Sequence, residues 1–321
     1  MDGRGLPKSS GVGPPGDGRR TVEWIDLAAL MRIESLELRA RVLVDGLLAG
    51  RHRGPRHGQS VEFSEYRAYA VGDDPRSIDW KLFARTDRCY VRRFEQEIQL
   101  ACTLVLDNSR SMLFGAPHSK GEYARTLAAT LAYSLLKQRD AVGLVHFADG
   151  PTEFLPAHAR SGQLHRILVS LSRAAEGRST GLPGTLEAVA ATTRRRGIVI
   201  VLADLLSELD GLEPRLAQLQ SCGQDVVLLQ ILDPAELSFD LGPQGVLEDL
   251  ESGRRLPVDP ANARDRYQSR LNAHLVELET LCRRQSVDLV RVTTDVLPGE
   301  ALARVLEHRQ RVLARRRRSA A

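Results

Sequence analysis

Three oxygen-bearing side chains follow one apolar run of the sequence at alternate positions. Asp107, Ser109 and Ser111 stand in the segment LDNSRSM, directly after the apolar residues 103–106. Carboxylate and hydroxyl oxygens are the ligands that hard divalent cations prefer, and such cations usually keep positions for water or an outside ligand. The same residue types also form tight turns readily. The segment is therefore a candidate site for Mg²⁺ or Mn²⁺, with a plain loop-stiffening turn as the alternative.

Further oxygen ligands occur later in the chain, next to other apolar runs. Asp204 follows residues 198–202 in the segment VLADL, and Thr180 and Thr185 stand in RSTGLPGT ahead of a helical pattern. Ligands of an open parallel sheet collect at the carboxyl ends of its strands, so residues just after strands meet at one edge. Serine and threonine hydroxyls add coordination without negative charge. A cation held mainly by them stays electron-poor and favours capture of a carboxylate from outside the chain.

Several enzyme signatures are missing from the sequence. Ser109 and Ser111 do not stand in a GxSxG segment, no GxxxxGK[ST] phosphate-binding loop is present, and the eight histidines show no HExxH spacing. A phosphatase of the DxDx[TV] kind needs a second aspartate where Ser109 stands. A metal-dependent phosphoester hydrolase is the alternative to a binding module, but it needs a general base and none is evident beside the motif. We therefore expect a protein that is not an enzyme.

The composition is that of an ordinary soluble globular protein. Of the 321 residues, 42% are hydrophobic and 27% are charged. No apolar run approaches the roughly 20 residues that cross a bilayer, and the N-terminal segment lacks a secretory pattern, so we expect a cytoplasmic chain without a membrane span. The four cysteines show no paired spacing and are expected to be reduced thiols. A net charge of +4 is too small an excess to require nucleic acid, and no such partner is expected.

The order of apolar runs and helical patterns predicts an α/β fold. From residue 98 onward, β-branched runs alternate with amphipathic helical patterns, which is typical of a mostly parallel sheet flanked by helices. The predicted strands are residues 103–106, 141–147, 198–202, 226–232 and 287–292, with an edge strand near Phe154 and an inserted hairpin at 242–257. The predicted organisation is a disordered lead-in at 1–21, a helical arm and basic loop at 22–54, a small strand-containing module at 55–97 and the α/β domain at 98–321.

The motif and its later partners resemble the metal-ion-dependent adhesion site of von Willebrand factor A domains. In that Rossmann-like family, Asp-x-Ser-x-Ser after the first strand is followed by a threonine and then an aspartate. The resemblance implies that Asp107, Ser109 and Ser111 hold a divalent cation and that Asp204 reaches it through water. In that family, leucines follow the threonine at fixed offsets. The leucines that follow Thr180 in this sequence stand at the same offsets. Thr185 stays open as the alternative.

A second resemblance covers residues 53–112 and includes the segment GDDPRSIDWKLFAR. This segment is similar to the GDxxRxIDWxxxAR pattern of the bacterial MoxR-associated family, domain of unknown function 58, in which it precedes a von Willebrand factor A-like domain. Members are commonly linked with MoxR-type AAA+ ATPases, and longer relatives carry N-terminal membrane spans. The resemblance implies an adaptor in protein assembly or remodelling. Its partner would be a MoxR-type ATPase or a client protein that supplies an acidic side chain.

Charged residues alternate around a tryptophan in this segment. Its candidate partner-binding residues are Asp73, Arg76, Asp79, Trp80 and Arg85. Alternating charges beside an aromatic side chain suit a protein interface. They also suit an ion-pair network around Trp80 that joins the module to the α/β domain. Both interpretations stay open from the sequence.

Overall fold

The N-terminal part of the described chain is helical. A computed structural model of the protein describes residues 27–51, 63–70, 75, 78–94, 100–173, 177, 180–193, 195–239, 246–248, 255–257 and 260–320. Helices α1 (Leu27–Met31) and α2 (Leu36–Arg51) form the arm that the apolar spacing predicts. The predicted lead-in at 1–21 lies outside the described residues.

The small module contains one antiparallel strand pair and one helix. Strand β1 (Phe63–Ala68) pairs with strand β2 (Tyr90–Phe94), and helix α3 (Trp80–Thr86) lies between them along the chain. The Asp79 carboxylate starts α3 by accepting hydrogen bonds from the backbone N–H groups of Lys81 and Leu82. This N-cap satisfies two donors that the first helical turn leaves without partners.

A six-stranded sheet forms the centre of the protein. The strands of the remaining chain are β3 (Ala101–Asp107), β4 (Ala141–Phe147), β5 (Pro151–His158), β6 (Gly197–Ala203), β7 (Gln224–Leu232), the short antiparallel pair β8 (Val246–Glu248) and β9 (Arg255–Pro257), and β10 (Asp288–Thr293). The sheet order is β10-β7-β6-β3-β4-β5, and all neighbours are parallel except β4 and β5. This confirms the predicted mostly parallel sheet, its edge strand and the inserted hairpin.

Helices cover both faces of the sheet. They are α4 (Lys120–Lys137), α5 (Gln163–Leu171), α6 (Leu182–Thr192), α7 (Leu212–Ser221), α8 (Pro234–Ser238), α9 (Pro260–Arg284) and α10 (Gly299–Ala320). Because successive strand side chains point to opposite faces, Leu104 joins the core beneath α4 while Val105 joins the core beneath α6 and α7. Burial of both faces explains the almost uninterrupted apolar strand sequences. The mostly parallel α/β class that the sequence predicts is the observed fold class.

The helical arm shares the core of the sheet domain. Ala40 and Val44 of α2 are buried in the same apolar cluster as Leu127 of α4. Beside this contact, the side chain of Arg39 is 8% exposed and lies 3.1 Å from the Glu122 carboxylate. It also donates a hydrogen bond of 3.2 Å to the Thr126 hydroxyl. The buried guanidinium therefore fixes the arm on α4.

We expect Arg39→Ala to lower the free energy of unfolding by about 2–3 kcal/mol, because it removes a buried cation together with its hydrogen bonds. Urea denaturation measures this change. Arg41→Ala is the matched control, since Arg41 and its helical partner Glu37 are 53% and 50% exposed, and such pairs contribute about 0.5 kcal/mol or less. Equal effects of the two changes would contradict a stabilising role for the buried Arg39 guanidinium.

The β5 edge of the sheet is irregular. β5 contains Pro151 and Pro156, and its register against β4 shifts at two places. A Cβ atom on Gly143 of β4 would lie 2.7 Å from the Leu155 carbonyl oxygen and 2.8 Å from the Ala157 nitrogen. Only glycine therefore fits where β5 bends across β4.

Candidate functional site

The predicted site residues lie where the order of the sheet reverses. Strands β3 and β6 are neighbours at the centre of the sheet. From β3 the chain continues to β4 on one side of this pair, and from β6 it continues to β7 on the other side. A crevice opens at the carboxyl ends of such a strand pair because the following helices pack on opposite faces. Asp107 is the last residue of β3, and Asp204 directly follows β6. The fold thus brings the first and last residues of the predicted set to one crevice.

Asp107 has one carboxylate oxygen without a partner. Asp107 is 1% exposed, and its Oδ1 accepts a hydrogen bond of 2.8 Å from the Ser109 backbone N–H. Its Oδ2 is buried and has no hydrogen-bond partner in the described part of the chain. Ser109 is fully buried, and its hydroxyl lies 2.9 Å from that of Ser111. The loop is therefore the turn that the residue types favour, and it also leaves a buried acceptor oxygen beside two hydroxyl groups.

This environment disfavours the charge on Asp107. Burial, and after it the negative charge of Asp204, raise the pKa of Asp107 to about 7, although the hydrogen bonds from Ser109 and the charge of Lys120 offset part of the rise. A buried carboxylate oxygen without a hydrogen-bond partner is unfavourable, and a bound cation or a proton would compensate for it. One carboxylate oxygen beside serine hydroxyls suits the oxygen preference of Mg²⁺ or Mn²⁺. Among the described residues, no three His, Cys, Asp or Glu side chains group as metal ligands.

Both carboxylate oxygens of Asp204 already have protein donors. Asp204 is 2% exposed, its Oδ2 accepts a hydrogen bond of 2.9 Å from the Lys120 ammonium group, and its Oδ1 accepts one of 3.3 Å from the Leu206 backbone N–H. A carboxylate held in this way suits contact with a cation through water rather than direct coordination.

Lys120 and Glu236 are site residues that the sequence analysis missed. The Lys120 ammonium group is fully buried and lies 2.6 Å from Glu236 at the N-terminus of α8. One signal was present in the sequence. A lysine in the first turn of a helix, just after the N-cap Ser119, opposes the helix dipole and needs a compensating anion.

The two candidate threonines differ in what their hydroxyl groups do. The Thr185 hydroxyl is fully buried and donates a hydrogen bond of 2.9 Å to the Gly181 carbonyl within α6. Thr180 is half-buried and precedes Gly181, whose backbone N–H bonds the Ala148 carbonyl at the end of β4. A Cβ atom on Gly181 would lie 2.3 Å from the Asp149 carbonyl oxygen, so this contact requires glycine. Thr180 therefore lies at the same edge as Asp107, and its assignment as the ligand stays a prediction.

A buried histidine forms a hydrogen bond with Asn108 in the loop that follows β3. His146 is 3% exposed, with Nδ1 2.8 Å from the Asn108 amide nitrogen and Nε2 2.9 Å from the Ser170 hydroxyl. Ser170 donates its hydrogen to Glu153 over 2.7 Å, so Nε2 carries the imidazole proton and Nδ1 accepts from Asn108. Burial lowers the His146 pKa to about 4, which keeps the ring neutral. His146 thus donates to Ser170 and does not activate it as a nucleophile.

The candidate partner-binding residues separate into different settings. Asp73 and Arg76 lie outside the described residues. Asp79 is 4% exposed and caps α3, whereas Trp80 is 60% exposed and its ring forms a T-shaped pair with that of Phe83. Arg85 is exposed in the last turn of α3. Trp80 therefore presents a large exposed aromatic surface, and any ion pairs of Asp73 and Arg76 lie outside the described residues.

The fold and the site together define a doubly wound α/β protein with a hydroxyl-rich acidic crevice at its switch point. The model of the protein family described as "Protein of unknown function DUF58" matches residues 65–277, more than half of the chain. The chain is also 30% identical over 292 residues to the uncharacterized protein Rv1480 of Mycobacterium tuberculosis, covering 88% of this chain and 90% of the relative. This chain belongs to the DUF58 family.

Two solved structures are similar to the chain at low sequence identity. The conserved hypothetical protein BatB from Bacteroides thetaiotaomicron is 17% identical with a TM-score of 0.47, over 67% of this chain and 99% of that structure. The VWA domain of SpRpn10 is 10% identical with a TM-score of 0.37, over 64% and 94% respectively. Within the residues that the structure describes, none of the helices has the length and apolar character needed to cross a bilayer.

Proposed function

We propose that this chain is a non-enzymatic protein-interaction module that holds its partner through a divalent cation, Mg²⁺ or Mn²⁺, bound by Asp107, Ser109, Ser111 and Thr180. Asp204 assists through water. The observation that carries the proposal is the buried, unpartnered Oδ2 of Asp107 beside two serine hydroxyls. A cation in this position has one direct carboxylate ligand from the chain. It retains enough positive charge to attract a carboxylate from a partner.

The rim of the crevice supports a protein partner. Leu113, at the end of the short 3-10 helix Arg110–Leu113 that follows the motif, is 53% exposed. Val296, which follows β10 at the same edge of the sheet, is 37% exposed, and its carbonyl accepts a hydrogen bond from Tyr123 of α4. Exposed apolar side chains at the same edge of the sheet as a charged crevice suit a protein interface better than a small polar substrate.

The partner we propose is a MoxR-type AAA+ ATPase, or a client protein, that presents an exposed Asp or Glu side chain. This part of the proposal is supported by the sequence resemblance of residues 53–112, with Trp80 as a second contact. The module would act in the cytoplasm as an adaptor in protein assembly or remodelling.

Equilibrium dialysis against Mn²⁺ tests the site directly. We expect one ion per chain, because the described residues contain one crevice that combines a buried unpartnered carboxylate oxygen with hydroxyl groups. The absence of saturable binding would overturn the proposed metal site.

We further expect the metal-loaded protein to hydrolyse p-nitrophenyl phosphate no faster than buffer. A hydrolase needs a base beside the attacking water. The Lys120 ammonium group is held by two carboxylates, and neutral His146 donates its proton to Ser170. Release of p-nitrophenolate measures the rate. Turnover that disappears in Asp107→Asn would instead favour the metal-dependent phosphoester hydrolase.

A further inference from the structure

The Lys120 ammonium group lies inside the crevice as a fixed cation. It is fully buried, 2.9 Å from Asp204 and 2.6 Å from Glu236. The Phe114 ring lies against it, with 5.8 Å from the ammonium nitrogen to the ring centroid. A buried lysine of this kind persists only because two carboxylates compensate for its lost hydration. Its position is set by three elements, α4, the loop after β6, and α8.

This ammonium group binds an Asp204 oxygen that could otherwise act as a cation ligand. Asp204 Oδ2 binds Lys120, and the charges of Lys120 and Asp204 both act on Asp107. Asp107, Asp204, Glu236 and Lys120 carry a formal charge of −2 when all are ionised. Without Lys120 the same cluster would carry −3, and Oδ2 of Asp204 would be free to coordinate a cation.

We propose that Lys120 is an internal counter-ion that sets how tightly the crevice holds its divalent cation. It keeps Asp204 out of direct coordination and repels the cation, so the metal remains exchangeable and needs the partner's carboxylate. This inference rests on the proposed metal site. It assigns Lys120 a role in binding strength rather than in holding the ion.

Four versions of the protein that differ in the charge of this cluster test the proposal. They are the wild type (−2), Lys120→Met (−3), Glu236→Gln (−1) and the double variant Lys120→Met with Glu236→Gln (−2). Glutamine can replace glutamate at the N3 position of the capping box at the start of α8. The dissociation constant for Mn²⁺ is measured by calorimetry on full-length, chelator-treated protein.

The expected order of affinity follows the charge. Lys120→Met should bind Mn²⁺ at least about tenfold more tightly than wild type, because a nearby like charge is removed from a poorly screened site. Glu236→Gln should bind at least about threefold more weakly, and the double variant should lie within about threefold of wild type. Lys137→Met is the matched control and should not change affinity, since Lys137 ends the same helix and its side chain is 51% exposed.

The outcomes separate this inference from the proposed function. Wild type that binds no Mn²⁺ overturns the metal site and this inference together. Wild type that binds, with Lys120→Met no tighter than wild type, overturns the role of Lys120 alone. If Lys120→Met does not fold, Glu236→Gln and the double variant decide, because they differ only in Lys120. Equal affinity of that pair, or weaker binding by the double variant, contradicts the proposal.

Discussion

Replacing Asp107 with asparagine is expected to abolish cation binding while leaving the chain folded. The asparagine Oδ1 can still accept the hydrogen bond from the Ser109 backbone, whereas the anionic Oδ2 is lost. Burial and Asp204 already raise the pKa of Asp107 to about 7, so a neutral side chain relieves an unfavourable charge in the metal-free protein. The variant should therefore unfold at the same temperature as metal-free wild type or above it.

Thermal unfolding with and without Mg²⁺ measures both parts of this prediction. A ligand present at about one hundred times its dissociation constant stabilises the native state by about 2.7 kcal/mol. Wild type should show that gain, and Asp107→Asn should show none. Asp210→Asn is the control, because Asp210 is an exposed carboxylate of the loop that follows β6. A Mg²⁺-dependent gain in Asp107→Asn would place the cation elsewhere.

Association with a MoxR-type ATPase should require the cation. Chelation with EDTA, or Asp107→Asn, should weaken the complex at least about tenfold, which corresponds to about 1.4 kcal/mol. The physical reason is that the partner's carboxylate would lose the cation that compensates for its desolvation. Ser111→Ala should give an intermediate loss, since it removes one neutral ligand. Surface plasmon resonance of the wild-type and variant chains measures these changes.

A second docking mode predicts a different pattern in the same assay. If partners dock mainly on the module between residues 55 and 97, Trp80→Ala should remove most of the binding, because a Trp side chain with 60% exposure is a typical interface anchor. If the metal bridge holds the partner, Trp80→Ala should weaken partner binding less than Asp107→Asn. Binding that is insensitive to EDTA and lost in Trp80→Ala would contradict the metal bridge.

The sheet could be predicted from sequence because its signal is local. Apolar β-branched runs such as residues 198–202 become strands buried on both faces, and the run predicted at 141–147 is β4 with the same bounds. The strand predicted near Phe154 is the edge strand β5, and its residues are exposed or partly buried in the structure. Placing Asp107 and Asp204 at one crevice required only the rule that carboxyl ends of parallel strands meet.

The contacts of Lys120 could not be predicted in the same way. Its two carboxylate partners lie 84 and 116 positions away in the chain, and no periodicity connects them. The same limit applies to α2, whose amphipathic spacing predicts a helix but not the surface that it covers. For Trp80 the sequence leaves an interface and an ion-pair network both open, and only the tertiary structure gives the 60% exposure of its side chain. These features depend on which elements the tertiary structure brings together.

The irregular β5 edge has a consequence for self-association. An exposed strand edge is a template on which another chain can extend a sheet, and prolines, bulges and charged side chains are the features that prevent such pairing. β5 combines Pro151 and Pro156 with two register shifts, and Glu153 lies on the same strand. Concentrated protein should therefore resist fibre formation through this edge. Replacement of the two prolines by residues that have a backbone N–H group would make the chain more prone to aggregate.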